Sequence, residues 1–456
     1  MADTAPTASG AGPEGSFRYR LLDALGKDQL QDAPDAQRRL QALIANWLRM
    51  ENVVCLIGAG CSIEDGIGGK SVGKLEDAVL KIVHEKWKAN DSIRKLIESR
   101  QSEKSKKDLL GFERWLTVLT NVSSLTNLAG TPIEGVSFKV GKIDASQIDE
   151  LLKDIESAIY GYCALRLGEP SEQPVGHHAF FAKLIARDPA LGRSQIFTLN
   201  YDTIIEQALD HLGIFYFDGF SGRADPKFDP TSYGLDIYYP GDVSEGRVRR
   251  FDRFMHLYKL HGSVHWVIQS DGSITARHPN LAALQTSRSL GDEKARLEQL
   301  STLWPANEGR LGILPTANKF VQTLEAPFAH LFRFFQQRLQ VPQTFLFVCG
   351  YGFGDEHVNS MIESGLMNVS LSMLIVCPDY LDFEKSESNI SKWIERHRYL
   401  GERIFVLCPA NKEDANKIAT FDDFSSNIMP QVKWLDEFAA LRRLEKSIEP
   451  SIARAK

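Results

Sequence analysis

The stretch VVCLIGAGCS at residues 53–62 constrains the fold more than any other part of the chain. Five apolar residues run directly into Gly58, Gly60 and the hydroxyl of Ser62. A buried strand, a glycine-rich turn and a helix start, in this order, form an anion site, because backbone N–H groups and the helix dipole face the anion. The stretch therefore predicts a β-loop-α unit that binds phosphate.

Two common phosphate-binding loops do not fit this stretch. A Walker loop requires G-x-x-x-x-G-K-[ST], and GGKS does occur at 68–71, but Glu64 stands where the first glycine is needed. The dinucleotide fingerprint G-x-G-x-x-G fails because Ile63 occupies the third glycine position. What remains is a different loop, GAG-x-S.

Composition excludes several classes of protein. The chain has 456 residues, 43% of them hydrophobic and 25% charged, which is typical of a globular protein. Its net charge of −6 disfavours broad binding to nucleic acid or to an anionic membrane. Six scattered cysteines form no C-x-x-C pair, so we expect core thiols in a reducing cytoplasm and no zinc ribbon. Residues 1–16 are rich in Ala, Gly, Ser, Thr and Pro and are predicted to be a disordered tail.

Continuous apolar runs predict a parallel sheet. They occur at 53–57 and 195–199, in TFLFVC, in LSMLIVC and in RIFVLC, and such runs are typical of strands covered on both faces. Helical periodicity dominates 72–166, which we interpret as an insertion. We predict an α/β fold with a doubly wound, mostly parallel, Rossmann-like sheet and this helical insertion, one domain over 17–410, and a peripheral, helical segment at 411–456.

Chemistry-bearing residues follow the predicted strands. In a doubly wound sheet, ligands bind outside the carboxyl ends of the strands, where these loops meet. The loops supply glycines for phosphates, an amide and a carboxylate for a sugar or an amide group, and an imidazole for proton transfer. They read GAGCS at 58–62, TLNYD at 198–202, HG at 261–262 and GYGFGD at 350–355. The pattern indicates a nucleotide site that contains a catalytic histidine.

These four motifs, in this order, resemble those of the sirtuin family, whose members bind NAD; the resemblance covers roughly 36–410. It implies that Asn200 and His261 are catalytic, with His261 as the base. It also implies the residues that bind NAD, which are Gly58, Ala59, Gly60 and Ser62 at the pyrophosphate and ribose, Asp202 at the nicotinamide end, and Gly350 and Gly352 at the ADP half.

The chain departs from deacylating sirtuins in two places. Their first loop continues as G-I-P-x-F-R and they carry a zinc module with two C-x-x-C pairs, whereas this chain reads DGIGGKS and has no such pair. The segments ILPTANKFVQTLEAPF and GYGFGDEHVN resemble instead the divergent sirtuin-like proteins of bacterial antiphage defence, which hydrolyse NAD. The resemblance implies an NAD glycohydrolase without zinc. Since uncontrolled NAD hydrolysis would starve the cell, we expect regulation either by self-association into a homo-oligomer or by a partner such as a hexameric DNA-translocating ATPase. An NAD-dependent protein deacylase and a non-catalytic NAD or ADP-ribose sensor are the alternatives.

Simpler structural roles stand beside these. Asp202 opens a helix and is equally well explained as a helix cap. Asn200 could be a turn residue, but the other motifs around it disfavour that interpretation. A metal site built from His256, His261 and His265 is disfavoured because no acidic partner lies at ligand spacing. We expect His177 and His178 to be surface or capping residues, and Asp355 and His357 to cap the helix that follows them.

Overall fold

The structure is a computed structural model. It describes residues 17–31, 35–63, 67–103, 112–126, 135–138, 141–170, 175–239, 250–269, 271–290, 292–303, 309–313, 327–383 and 388–432. The tail predicted at 1–16 lies outside the described residues.

An eight-stranded sheet forms the centre of the molecule. All of its neighbouring strands are parallel except the pair at one edge, where β1 (Tyr19–Asp23) runs antiparallel to β15 (Ile404–Pro409). From that edge to the other, the strands are β1 (Tyr19–Asp23), β15 (Ile404–Pro409), β14 (Ser372–Val376), β13 (Thr344–Cys349), β2 (Asn52–Ile57), β5 (Gln195–Thr198), β9 (Phe254–Lys259) and β6 (Phe215–Phe217).

Helices cover both faces of this sheet. Successive residues of β2 point to opposite faces, so Cys55 joins one hydrophobic cluster and Leu56 the other. The helices on the Cys55 face are α1 (Ala36–Leu48), α6 (Gly176–Ile185) and α7 (Ile204–His211). The helices on the Leu56 face are α10 (Phe328–Gln340), α11 (Glu356–Gly365) and α12 (Asn389–Arg396). The predicted doubly wound, mostly parallel α/β fold is confirmed.

The strand order reverses between β2 and β13. From β2 the chain builds outward to β5 on one side, and β13 then returns to the other side of β2 and leads to β14 and β15. Such a reversal opens a crevice at the carboxyl ends of the two strands, which is where doubly wound folds bind ligands.

A second, antiparallel sheet packs beside the first and was not predicted as a sheet. Four of its five strands have only two to four residues, too few to give a clear alternation of apolar and polar positions. In spatial order they are β12 (Arg310–Ile313), β10 (Gly262–Ile268), β11 (Ile274–Ala276), β8 (Lys227–Phe228) and β7 (Phe220–Ser221).

The region of the predicted insertion has its own hydrophobic cluster. Four helices and a hairpin lie in it: α2 (Val72–Trp87), α3 (Asp91–Glu103), α4 (Phe112–Thr126), β3 (Gly135–Phe138), β4 (Gly141–Asp144) and α5 (Ala145–Cys163). Later in the chain, α8 (Leu281–Arg288) is followed by α9 (Glu293–Ser301), and α9 packs on α5 and adds Leu297 to the same cluster. The helical body therefore draws on residues beyond 166.

The described part of the C-terminal segment is not peripheral, which corrects the prediction for 411–456. A short helical turn, Phe421–Asp423, and the turn after it pack on α6. They bury Phe421, Phe424 and Met429 in the core. The Lys183 ammonium of α6 donates to the backbone carbonyls of Ser425 and Met429, and its burial lowers the pKa of Lys183 to about 8.

This packing predicts that Phe424→Ala lowers the free energy of unfolding by about 3–5 kcal/mol, because it deletes a fully buried ring. Phe215→Ala is the matched control, since the Phe215 ring is 58% exposed. Denaturant unfolding of both variants checks the prediction, and equal losses would contradict it.

His177 and His178 are buried in α6, so their predicted surface position is wrong. The His177 ring lies 4.8 Å from that of Phe421, because the C-terminal segment covers this end of α6. The His178 Nε2 atom is 3.0 Å from Nδ1 of His211. Burial lowers the pKa of His177 to about 3.

A folded-state pKa below the ordinary value of about 6.5 means that the unfolded chain binds the proton more readily. The stabilising effect of a neutral His177 is therefore present above about pH 6.5 and is lost as the pH falls toward 3. We expect His177→Gln to flatten the fall in unfolding free energy between about pH 6 and pH 4 by roughly 1.4 kcal/mol per pH unit. Urea unfolding across this range measures it, with half-buried His330→Gln as the control.

Candidate functional site

Four neighbouring parallel strands, β13, β2, β5 and β9, carry the predicted motifs on the loops at their carboxyl ends. Thr198 of β5 pairs in register with Lys259 of β9. Asn200 and His261 each lie two residues beyond that pair, so the structure brings both to the same edge of the sheet.

The loops after β2 and β13 meet backbone to backbone. The Gly58 N–H donates to the Cys349 carbonyl, and the Gly60 N–H donates to the Gly350 carbonyl, both at 2.8 Å. A Cβ atom on Gly60 would lie 2.7 Å from the Gly350 Cα, and one on Gly350 would lie 2.5 Å from the Cys61 nitrogen. Gly350 also has a φ of +66°, in the left-handed region that favours glycine. These glycines are therefore required by the contact between the loops, whatever they bind.

A hydrogen bond between Ser62 and Asn200 connects the loop after β2 to the loop after β5. The Asn200 Nδ2 atom donates to the Ser62 Oγ atom at 3.0 Å, and both side chains are buried. The Asn200 Oδ1 atom is also buried and has no hydrogen-bond partner within the described part of the chain. Burying an amide oxygen without a hydrogen-bond partner costs free energy. Such an oxygen therefore usually marks a position where water or a ligand binds.

Asp202 lies one residue before Thr203, which is the N-cap residue of α7. Its Oδ1 atom accepts from the Ile204 N–H at the start of α7, at 3.1 Å. Burial raises the pKa of Asp202, and the positive charge of Lys259 acts in the opposite direction. Lys259 is almost fully buried, forms an ion pair with Glu206 at 2.7 Å and donates to the Asp202 carbonyl. The buried Lys259 ammonium therefore holds the loop after β5 through its hydrogen bond to the Asp202 carbonyl.

His261 lies between β9 and β10, where the chain leaves the central sheet for the second sheet. It is 6% exposed. Its Nε2 atom lies 3.3 Å from the Oδ2 atom of Asp355, and its ring centroid lies 6.4 Å from that of Tyr201. Asp355 also caps α11 through the His357 N–H, as predicted, whereas His357 is within the helix. The contact between Asp355 and His261 could not be predicted, because nothing local distinguishes a loop aspartate that caps a helix from one that also contacts a distant histidine.

The other two histidines of the metal hypothesis have separate surroundings. His256 Nε2 lies 2.9 Å from the Leu235 carbonyl, and burial lowers the pKa of His256 to about 4. The His265 Nδ1 atom lies 2.7 Å from the Ser263 Oγ atom. Within the described ranges, no three His, Cys, Asp or Glu side chains are grouped as metal ligands.

Comparison with known proteins gives one family match. Residues 194–393 match the model of the SIR2-like domain. The matched segment contains Asn200, Asp202, His261 and the loop after β13, whereas the GAG-x-S loop lies outside it. The chain is thus a Rossmann-like α/β protein, and its residues 194–393 are similar to the SIR2-like domain.

Solved structures of Sir2 homologues are also similar to the chain. A mutant in complex with ADP-ribose has a TM-score of 0.33 and 12% identity, over 79% of this chain and 96% of that one. A complex with NAD has a TM-score of 0.33 and 12% identity, over 78% of this chain and 93% of that one. No curated protein matches significantly. None of the helices in the described ranges has the length and apolar character needed to span a bilayer.

The contact between the loops predicts that Gly350→Ala lowers the free energy of unfolding by about 3 kcal/mol or more, because a left-handed alanine costs roughly 1–2 kcal/mol and its Cβ atom also meets backbone. Gly352→Ala, two residues away, is the matched control: nothing lies within 4 Å of its Cβ position. Thermal and urea unfolding check the difference. A Gly350→Ala protein as stable as the Gly352→Ala protein would show that the loops separate without cost.

Proposed function

We propose that the protein is an NAD glycohydrolase that cleaves NAD to nicotinamide and ADP-ribose. The observation that carries this proposal is the buried Oδ1 atom of Asn200, two residues past β5, which has no hydrogen-bond partner among the described residues, with His261 at the matching position past β9. An amide oxygen that is available to water or a ligand and an imidazole thus follow neighbouring strands at the same edge of the sheet. The SIR2-like domain match over 194–393 supports NAD as the nucleotide.

The chemistry requires few protein groups. The bond to be broken joins a ribose carbon to a pyridinium nitrogen, and nicotinamide leaves as a neutral molecule, so no acid has to protonate it. Water supplies the new C–O bond and loses one proton. The enzyme has to stabilise an oxocarbenium-like transition state and position that water.

The residues have corresponding roles in the proposal. Asn200 holds the attacking water or a ribose hydroxyl through Oδ1, while its Nδ2 group stays on Ser62. His261 takes the proton, a role worth roughly 10²–10⁴-fold in rate. Asp202 orients the nicotinamide carboxamide in addition to its contact at the start of α7.

The first and fourth loops fit the phosphates and the ADP half of NAD. Gly58, Ala59, Gly60 and Ser62 follow β2 at the point where the strand order reverses, and Ala59–Ser62 form a single turn of helix. A Cβ on Gly352 would meet nothing within 4 Å, so the backbone there is open to close approach by a ligand. We assign Gly350 and Gly352 to the ADP half.

The cellular role follows from the resemblance to defence proteins. An enzyme that hydrolyses NAD without control starves its own cell, so we propose a cytoplasmic antiphage effector that works as a homo-oligomer under control of a hexameric DNA-translocating ATPase. The helical region over 72–166 is our candidate contact surface, since the C-terminal residues 421–429 are committed to the core. We propose no direct contact with nucleic acid or membrane.

We expect the purified protein to convert NAD to nicotinamide and ADP-ribose without any peptide, as measured by chromatography of the products. His261→Ala and Asn200→Ala should each lower the rate by about 10²–10⁴-fold. His330→Ala is the matched control, because His330 lies in α10, outside the four loops and outside the helical region. The assay is run with the protein alone and with the proposed hexameric ATPase.

Two other outcomes of this assay would support the alternative functions. NAD that binds but is not consumed, even with the ATPase, would indicate the sensor. Turnover only with an acylated peptide would indicate the deacylase, which one observation favours as the second candidate. A cavity of about 870 Å³ is lined by Val264 and His265 of β10, three and four residues after His261 in the sequence, and has room for a second substrate.

A further inference from the structure

The motif GYGFGDEHVN at 350–359 continues past the glycines that the proposed function uses, and it ends at Asn359, a buried residue of α11. A buried side-chain amide requires hydrogen-bond partners, and those of Asn359 lie in the loop before its own helix. The Asn359 Nδ2 group donates to the Phe353 carbonyl at 3.1 Å, and the Tyr351 hydroxyl donates to Oδ1 at 2.8 Å. Because a backbone carbonyl only accepts, the first of these bonds fixes which end of the amide faces which partner.

The Tyr351 hydroxyl extends this contact to the end of the loop. The Asp355 N–H donates to the hydroxyl at 3.3 Å, and the Asp355 carbonyl lies 2.9 Å from it. The same carbonyl accepts from the Asn359 N–H at 3.0 Å. Residues 351–355 are therefore held at the start, the middle and the end of the loop, and Asn359 takes part at each of these points.

Phe353 has a backbone conformation that requires such a restraint. Its φ is +55°, in the left-handed region, which is unfavourable for a bulky residue. The Phe353 ring is buried, and its centroid lies 4.7 Å from that of Trp393. Packing of the ring and the hydrogen bond from Asn359 to the Phe353 carbonyl together stabilise the conformation. A left-handed bulky residue persists only where its surroundings hold it in this way.

The conformation of this loop determines what it presents to a ligand. Tyr351 and Phe353 are buried, whereas Gly352 and Gly354 between and after them are exposed. The loop thus turns its aromatic side chains toward the core and leaves the glycine backbone accessible. A Cβ atom on Gly352 would meet nothing within 4 Å. A ligand can therefore approach the backbone closely while the loop keeps this shape.

We propose that Asn359 is a positioning residue for the ADP half of NAD. It holds the loop after β13 in the conformation that binds the nucleotide, so that binding does not have to order the loop. If this conformation were only partly populated, the apparent affinity would fall by the same fraction. Asn200 and His261 lie on other loops, after β5 and β9, so the chemical step does not depend on Asn359. This inference rests on the proposed function, in which Gly350 and Gly352 bind the ADP half.

Asn359→Leu removes both side-chain hydrogen bonds at a similar side-chain volume. We expect KM for NAD and Kd for ADP-ribose to rise by about 10–100-fold and kcat to change by less than about threefold. Asn368→Leu is the matched control, because Asn368 lies just after the other end of α11, where its Nδ2 group donates to the carbonyls of Leu339 and Val341 at 3.1 and 2.9 Å. It should destabilise the fold and leave KM, Kd and kcat unchanged.

Tyr351→Phe is a milder variant, which tests the same contact if Asn359→Leu does not fold. It removes only the hydroxyl, and we expect KM and Kd to rise by about 3–10-fold. An unchanged Kd in the folded variants, or a fall in kcat as large as the rise in KM, would overturn the positioning role.

Calorimetry of the full chain with ADP-ribose measures Kd without turnover, so it separates this inference from the proposed function. A wild type that binds ADP-ribose but does not hydrolyse NAD would overturn the hydrolase, and the Kd values of the variants would still decide the role of Asn359. A wild type that binds no ADP-ribose would overturn both.

Discussion

The site depends on a contact between two stretches of backbone. The Gly60 N–H donates to the Gly350 carbonyl at 2.8 Å, and the absence of side chains on both residues lets the loops after β2 and β13 approach this closely. Adjacent parallel strands would otherwise send their loops apart at the reversal of strand order, where the crevice opens. Because the loops are joined, Ser62 on one of them and Asp355 on the other have fixed positions relative to each other.

Charged side chains are buried beneath the candidate site, and burying a charge costs free energy. The ion pair between Lys259 and Glu206 lies beneath the loop that carries Asn200 and Asp202, and burial raises the pKa of Glu206 as it does that of Asp202. Removing two charges from water costs several kcal/mol per ion unless the partners compensate. The Lys259 ammonium offsets part of this cost, because it donates hydrogen bonds both to the Glu206 carboxylate and to the Asp202 carbonyl. The loop that carries Asn200 and Asp202 is therefore held by the buried Lys259 ammonium through the Asp202 carbonyl.

Much of the central fold could be predicted from the sequence, because strands buried on both faces have continuous apolar runs. The antiparallel edge strand β1, the second sheet and the C-terminal core residues were missed. β1 contains Arg20 and ends at Asp23, so it lacks a continuous apolar run, and Phe424 is buried by a segment whose surrounding sequence is charged, so neither gives a local signal. For the candidate site, the position of each loop after a strand was enough to place Asn200 beside His261. Contacts between loops that are far apart in the chain, such as that of Asp355 with His261, depend on the sheet order and could not be predicted. The roles of the site residues in binding and catalysis stay predictions.

His261 stands at the corner where one sheet ends and the other begins. Its neighbour Gly262, with a φ of +80°, opens β10, and β10 pairs with β12, whose Arg310 forms an ion pair at 2.7 Å with Glu156 of α5 in the helical region. The residue that we propose as the base is thus connected to the helical region through two paired strands and one ion pair, whereas the glycine loops follow β2 and β13 in another part of the central sheet.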